Sequence, residues 1–249
     1  MMKEETRWKV IVGIGLVMLS ILIYAAHYLI FQDDHHLFIF FIGDLAFIPI
    51  EVLIVTLIID QLLAAREKRQ RLEKLNMVIG MFFSSVGTTL LATLSRADLE
   101  IASVQPHLVV GDNWQASQYH DVQVCLDAHR CHIDPGSVDL DSLKKGLLLH
   151  EDLLFRLVEN PMVFEHEAFT ELLLAVNHLT EELKARDSLP DLPPADKAHL
   201  AGDMQRVYAR LVHEWLRYME YLRDNYPYLF SLAMRKNPFD PAASVVIWK

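Results

Sequence analysis

Two long apolar runs with only Gln32-Asp33-Asp34-His35-His36 between them constrain this chain most strongly. The first, Val10 to Phe31, reads VIVGIGLVMLSILIYAAHYLIF. It matches the ~20 residues a helix needs to cross ~30 Å of hydrocarbon. A cleaved signal peptide has a shorter apolar core ending at small residues, whereas here His27-Tyr28-Leu29-Ile30-Phe31 continues the run past Ala25-Ala26. The second run, Leu37 to Leu63, is longer and carries Asp44, Glu51 and Asp60. With so short a connection the expectation is a transmembrane helical hairpin over residues 1–63, its spans at about 10–31 and 37–63.

Basic residues set the orientation of such a hairpin. Lys3, Arg7 and Lys9 precede the first span, and Arg66, Lys68, Arg69, Arg71 and Lys74 follow the second, while the connection has neither Lys nor Arg. The expectation is a multi-pass protein of the cell (inner) membrane, with both termini cytoplasmic and the acidic loop outside.

Beyond the hairpin, Met77 to Leu94 (MVIGMFFSSVGTTLLATL) is a third apolar stretch. Ser84, Ser85, Gly87, Thr88 and Thr89 interrupt its middle, and Leu72, Leu75, Ile79, Phe82, Val86 and Leu90 keep 3- and 4-residue spacing across its edge. Residues 64–98 therefore read as a cytosolic helical stalk that continues the second span and packs against copies of itself. A third span is the competing reading. Gly80, Ser84 and Gly87 either permit close approach between copies or fit beneath neighbouring side chains of one chain.

Residues 99–249 read as an α-helical cytosolic domain. Helices are expected from Trp114 to about Leu126, from Leu140 to Val158, from Asn160-Pro161 to about Arg186, from about Ala195 to Asn225 and from Leu229 to Arg235. Asn160 serves as a cap with Pro161 in the first turn. Val122 to Ile133 is ambiguous between helix and strand, and the apolar tail Val245-Val246-Ile247-Trp248 is expected to dock on the domain or the membrane interface. The fold class is all-α.

The segments GDLAFIPIEVLIVTLIIDQLL, EKLNMVIGMFFSSVG and NYPYLFSLAMRKNPFDP resemble uncharacterised prokaryotic two-span membrane proteins with a cytosolic helical domain. That resemblance covers most of the chain and implies no activity.

Four groups of side chains are candidates for chemistry. Asp44 and Glu51 are two helical turns apart, on one face of the second span, where ionisable groups are costly and usually face a polar interior. Gly43 and Pro49 mark an expected helix break, because Pro49 leaves the carbonyl of Leu45 without its donor. Carboxylates beside free carbonyls suit a cation path, with Asp33 and Asp34 as an outer vestibule. The structural alternative pairs Tyr24 with Asp44, and Ser20 with Glu51, inside one hairpin.

Asp121, Cys125, His129 and His132 fall on one helical stripe and are zinc ligand types, with Cys131 nearby. Zinc is the one cofactor this set raises; otherwise none is implied. Glu167, Glu171, His178 and Glu182 share a helix face; a di-metal carboxylate site needs Glu-x-x-His on each of two helices, an order absent here, so the face reads as solvated. The stripe His199, Asp203, Arg206, Arg210, His213 and Arg217 reads likewise, and its arginines could meet an acidic partner. No phosphate loop or nucleophile motif points to an enzyme. The net charge of −10 leaves no electrostatic footprint for nucleic acid.

The functional expectation is a homo-oligomeric, channel-like cation conduit with a cytosolic assembly or gating domain, since two spans cannot enclose a path alone. The alternative is a membrane-anchored helical scaffold or signalling module that recruits a cytosolic partner. The partners expected are the lipid bilayer, further copies of the chain and a cytosolic protein.

Overall fold

The computed structural model describes residues 2–247, the side chains of residues 2–6 and 34 excepted. It divides after Lys68 into two compact units, 1–68 and 69–249. Among the described residues every extended element is helical apart from one isolated bridge, between Asp98 and Ile133.

In the first unit, α1 (Met2–Phe31) is followed by α2 (Asp34–Phe82), so only Gln32 and Asp33 separate the two helices. The turn is this tight because Gln32 adopts the left-handed conformation (φ 47°) that ends a helix. Its N–H bonds the Tyr28 carbonyl at 2.9 Å. Asp33 then caps α2, its Oδ1 accepting the His36 N–H at 3.0 Å. Both helices are long and apolar enough to cross a membrane. Their large hydrophobic side chains are exposed around the whole circumference, from Val10 through Leu63. The expected break at Gly43 and Pro49 is absent: α2 passes through both residues. Proline removes one ladder bond, and the bonds on either side preserve the register.

The third apolar run is not free to span. Leu75, Val78, Ile79, Phe82, Phe83, Val86, Leu90, Leu91 and Leu94 are buried in the core of the second unit. Helical backbone continues from α2 through a π turn (Phe83–Gly87) into α3 (Thr88–Ala97). A π turn carries an extra residue and shifts the phase of the buried stripe. Here it lets two consecutive phenylalanines both point inward: Phe82 meets Phe169 edge-on at 5.6 Å, and Phe83 stacks on Tyr218 at 5.1 Å. The stripe assigned from sequence to contacts between copies is thus occupied by helices of the same chain. Gly80 lies beneath Tyr218, where an added Cβ would come 3.1 Å from the hydroxyl.

The remaining helices are α4 (Ala116–Ala128), α5 (Leu140–Leu149), α6 (Glu151–Val158), α7 (Pro161–Phe164), α8 (Glu167–Lys184), α9 (Pro194–Asn225) and α10 (Pro227–Arg235). Two expected helices are each divided. Leu140–Val158 breaks at His150, whose Nδ1 pairs with the Gly146 carbonyl at 2.9 Å. The helix after Pro161 stops at Phe164, and His166 Nδ1 accepts the Phe169 N–H to start α8. The ambiguous stretch 122–133 is helical to Ala128 and then crosses to its bridge with Asp98.

Helices α8 and α9 form an antiparallel pair around which the others pack. Phe169, Leu172, Leu173, Val176, Leu179 and Leu183 of α8 are fully buried, as are Leu200, Met204, Val207 and Leu211 of α9. Each such side chain contributes ~1.5–3 kcal/mol by leaving water. In the tail, Val245, Val246 and Ile247 remain exposed, Arg235 donates to the Val245 carbonyl at 2.9 Å, and Trp248 lies outside the described residues.

Candidate functional site

Within the hairpin, the Tyr24 hydroxyl donates to Asp44 Oδ2 at 2.9 Å. Asp44 therefore has a partner on the neighbouring helix. Glu51 is exposed and has no hydrogen-bond partner among the described residues; Ser20, expected to reach it, makes no such bond. Asp33 is used as the cap of α2. The side chain of Asp34 lies outside the described part.

The stripe Asp121, Cys125, His129, His132 does not survive as a stripe, because α4 ends at Ala128. Cys125, His129 and His132 line an open cleft of about 790 Å³ with Ser103, His107 and Cys131. Asp121 is exposed on α4 away from that lining. His129 is committed elsewhere: its Nε2 lies 2.8 Å from Asp98 Oδ2, and both side chains are buried. Asp98 Oδ1 also accepts the N–H groups of His132 and Glu100, at 2.9 and 3.1 Å. A buried carboxylate with this many donors is compensated for its desolvation, and it pins the segment after α4 to the end of α3. Burial pushes the Cys131 thiol up to about 11. Ser103 Oγ stands 3.4 Å from His129 Nδ1 and completes a Ser–His–Asp line, but its hydroxyl already donates to the Glu100 carbonyl at 2.8 Å. That proton is not directed at the imidazole.

The densest convergence of ligand-type side chains lies between α8 and α9, on faces that sequence reading assigned to solvent. His178 and Glu182 are one turn apart on α8, and His199 and Asp203 one turn apart on α9. Antiparallel packing brings the two pairs together beside the Ala185–Pro193 connection. His178 Nε2 lies 3.9 Å from Glu182 Oε1 and 3.6 Å from Asp203 Oδ1. His199 Nε2 lies 3.5 Å from Glu182 Oε2 and 3.5 Å from Asp203 Oδ2.

Asp203 corrects the expectation of a wet stripe: its side chain is only 2% exposed, while His178 and His199 are 47% and 53% exposed. The physical reason is that α8 covers this side of α9. Arginines hold one oxygen of each carboxylate. Arg186 Nη1 donates to Glu182 Oε2 at 2.8 Å, and Arg206 Nη1 to Asp203 Oδ1 at 2.6 Å. Arg186 also grips Asp196 with two bonds of 2.7 Å. It holds the Glu182 and Asp196 carboxyls below the usual carboxylate range.

The arginine stripe of α9 is likewise internally satisfied. Arg210 pairs with Glu171 at 3.2 Å and Arg217 with the buried Glu214 at 2.6 Å. The missed signal was the repeat of His-x-x-x-acid on both sides of a proline-rich connection (His178 to Glu182, His199 to Asp203), which a helical hairpin superposes.

These features define a two-part, all-helical protein: an apolar helical pair, then a helical domain with its own core and a polar cluster at one helix–helix seam. The chain belongs to the MJ1433 family. The family's N-terminal helical domain matches residues 3–63, and its C-terminal helical domain matches residues 71–235. A relative, the uncharacterized protein MJ1433 of Methanocaldococcus jannaschii, is 45% identical over 243 residues, covering 98% of each chain. No solved structure matches.

Proposed function

We propose that this protein is a membrane-anchored helical module: the α1–α2 hairpin spans the cell (inner) membrane, both termini are cytoplasmic, and the domain from Arg69 onward engages a cytosolic partner. The observation that carries this reading is the Tyr24–Asp44 hydrogen bond at 2.9 Å. An ionisable group at membrane depth needs a polar partner or water. Asp44 has its partner within one hairpin, so no water-filled lumen is required to explain it. Lys and Arg at the outer ends of both apolar runs, with none in the turn, support the orientation.

A homo-oligomeric cation conduit is the second reading, and Glu51 is what favours it. That acid lies seven residues beyond Asp44 with no partner among the described residues. Native mass spectrometry of protein extracted in mild detergent, combined with cation flux in vesicles, separates the two. A monomer or dimer without flux supports the anchored module. Rings of four or more, with flux lost in Glu51→Gln, overturn it in favour of the conduit.

A further inference from the structure

We propose that His178, Glu182, His199 and Asp203 form a zinc site that clasps α8 to α9, an inference independent of whether the hairpin enters a membrane. Four-coordinate zinc binds nitrogen and oxygen ligands at ~2.0–2.2 Å, which places neighbouring ligand atoms of a tetrahedron ~3.3–3.6 Å apart. The separations to the two carboxylate oxygens that no arginine holds, His178 Nε2 to Glu182 Oε1 at 3.9 Å and His199 Nε2 to Asp203 Oδ2 at 3.5 Å, lie at or just beyond that edge length. They are also too long for good hydrogen bonds. Ligand atoms of His178, Glu182 and Asp203 lie within 4.8 Å of one another, and the half-exposed His199 stands beside them, 3.5 Å from Asp203 Oδ2.

A second observation is independent of that convergence. Asp203 Oδ2 is buried and has no hydrogen-bond partner. A buried carboxylate oxygen without a donor is costly, and each such atom in a native protein calls for an explanation. It faces His199 Nε2 at 3.5 Å, inside the cluster. A cation seated there removes the cost.

The arginines complete the arrangement rather than fill it. Arg206 takes Asp203 Oδ1 and Arg186 takes Glu182 Oε2, which leaves Oδ2 and Glu182 Oε1 as the free oxygens. Hydrogen bonds of this kind orient ligating carboxylates in metal sites. Glu182, Asp196 and Asp203 against Arg186 and Arg206 leave one negative charge among the acidic and guanidinium groups. A divalent ion is therefore not repelled. A donor set of imidazole nitrogens and carboxylate oxygens favours zinc over magnesium or calcium, which require more oxygen ligands. The half-exposed histidines give the ion a route in from solvent.

The test uses the full-length protein in detergent, with any histidine tag removed, stripped by chelator and titrated with ZnCl2 and separately with CoCl2. Expected are one zinc per chain, a strong visible absorption from four-coordinate cobalt that zinc abolishes, and a higher unfolding temperature with zinc. The exposed pair His178→Gln/His199→Gln preserves the helical circular dichroism and weakens zinc binding at least ~100-fold, above the ~10–100-fold expected of a merely supporting residue. Asp203→Asn weakens it similarly where it folds; the histidine variant decides the matter where it does not. No stoichiometric zinc, a weak octahedral cobalt spectrum, or undiminished affinity in the histidine variant overturns the proposal.

Discussion

The two units place the same residue types in opposite surroundings. In the hairpin, isoleucine, leucine and phenylalanine point outward all around both helices, and no described residue of it contributes to the buried core. In the helical domain, most of the same residue types gather on the covered side of a helix, as Phe169, Leu172 and Leu179 do, with few exposed, such as Leu174. The difference lies in spacing rather than in composition. A helix apolar on every side needs an apolar solvent or other helices around it, whereas a one-sided helix completes itself against its own chain. The carboxylates repeat the lesson: Asp44 has a single hydroxyl partner, while Asp98 has an imidazole and two backbone N–H groups.

The sharpest way to break this comparison is at Asp98. Asp98→Ala leaves buried His129 and two backbone donors without their acceptor, and is expected to cost ~3–5 kcal/mol. Denaturant unfolding of the domain in detergent measures it. A loss below about 1 kcal/mol would mean the segment after α4 is held by other contacts.

Glycine substitution distinguishes the units next. An added Cβ at Gly87 would come 2.7 Å from the rings of both Phe82 and Phe83, and neither ring has room to move. Gly87→Ala is expected to destabilise by ~1–3 kcal/mol through overpacking. Gly13 and Gly43 have nothing within 4 Å, so alanine there should be tolerated. Equal thermal shifts at Gly87 and Gly43 would erase the proposed contrast.

Within the hairpin, Tyr24→Phe removes the bond to Asp44. Polar contacts between membrane helices are worth ~0.6 kcal/mol on average and up to ~1.7. A double-mutant cycle with Asp44→Asn, read by detergent-induced unfolding, gives the coupling. Gly146→Ala in α5 meets nothing within 4 Å and should raise domain stability by ~0.4–1 kcal/mol, visible as a higher unfolding temperature.

The smallest effect is the acid limb of stability. Arg186 lowers the folded-state pKa of Glu182 and Asp196 from their ordinary 4.5 and 3.8. Their contribution is thus complete above about pH 4.5 and is lost as pH falls through the lowered folded values. Arg186→Met should flatten that limb, and an unchanged pH profile would show the clasp contributes nothing.

Much of the architecture was legible from residues alone. The runs 10–31 and 37–63 declared two long apolar helices, and the expected helix from about Ala195 to Asn225 matches α9 (Pro194–Asn225). Asn160 and Pro161 marked a helix start correctly, with Asn160 Oδ1 accepting the Met162 N–H at 3.0 Å. These features are local, and local periodicity determines them.

Across the tight hairpin the sequence already paired Tyr24 with Asp44; what required tertiary structure was which helices of the domain meet. The spacing of Leu75, Ile79, Phe82 and Val86 demanded a partner helix without saying whether it came from another copy, the lipid or the same chain. The stripe from Asp121 to His132 held together only on an ideal helix that ends at Ala128. His178 with Glu182, and His199 with Asp203, read separately as two solvated faces. Only antiparallel packing of α8 on α9 could bury Asp203 between them and turn two i, i+4 pairs into one cluster. Sequence determines which residues share a face within about one helical turn, because the backbone sets that geometry. Which faces meet depends on how the whole core packs.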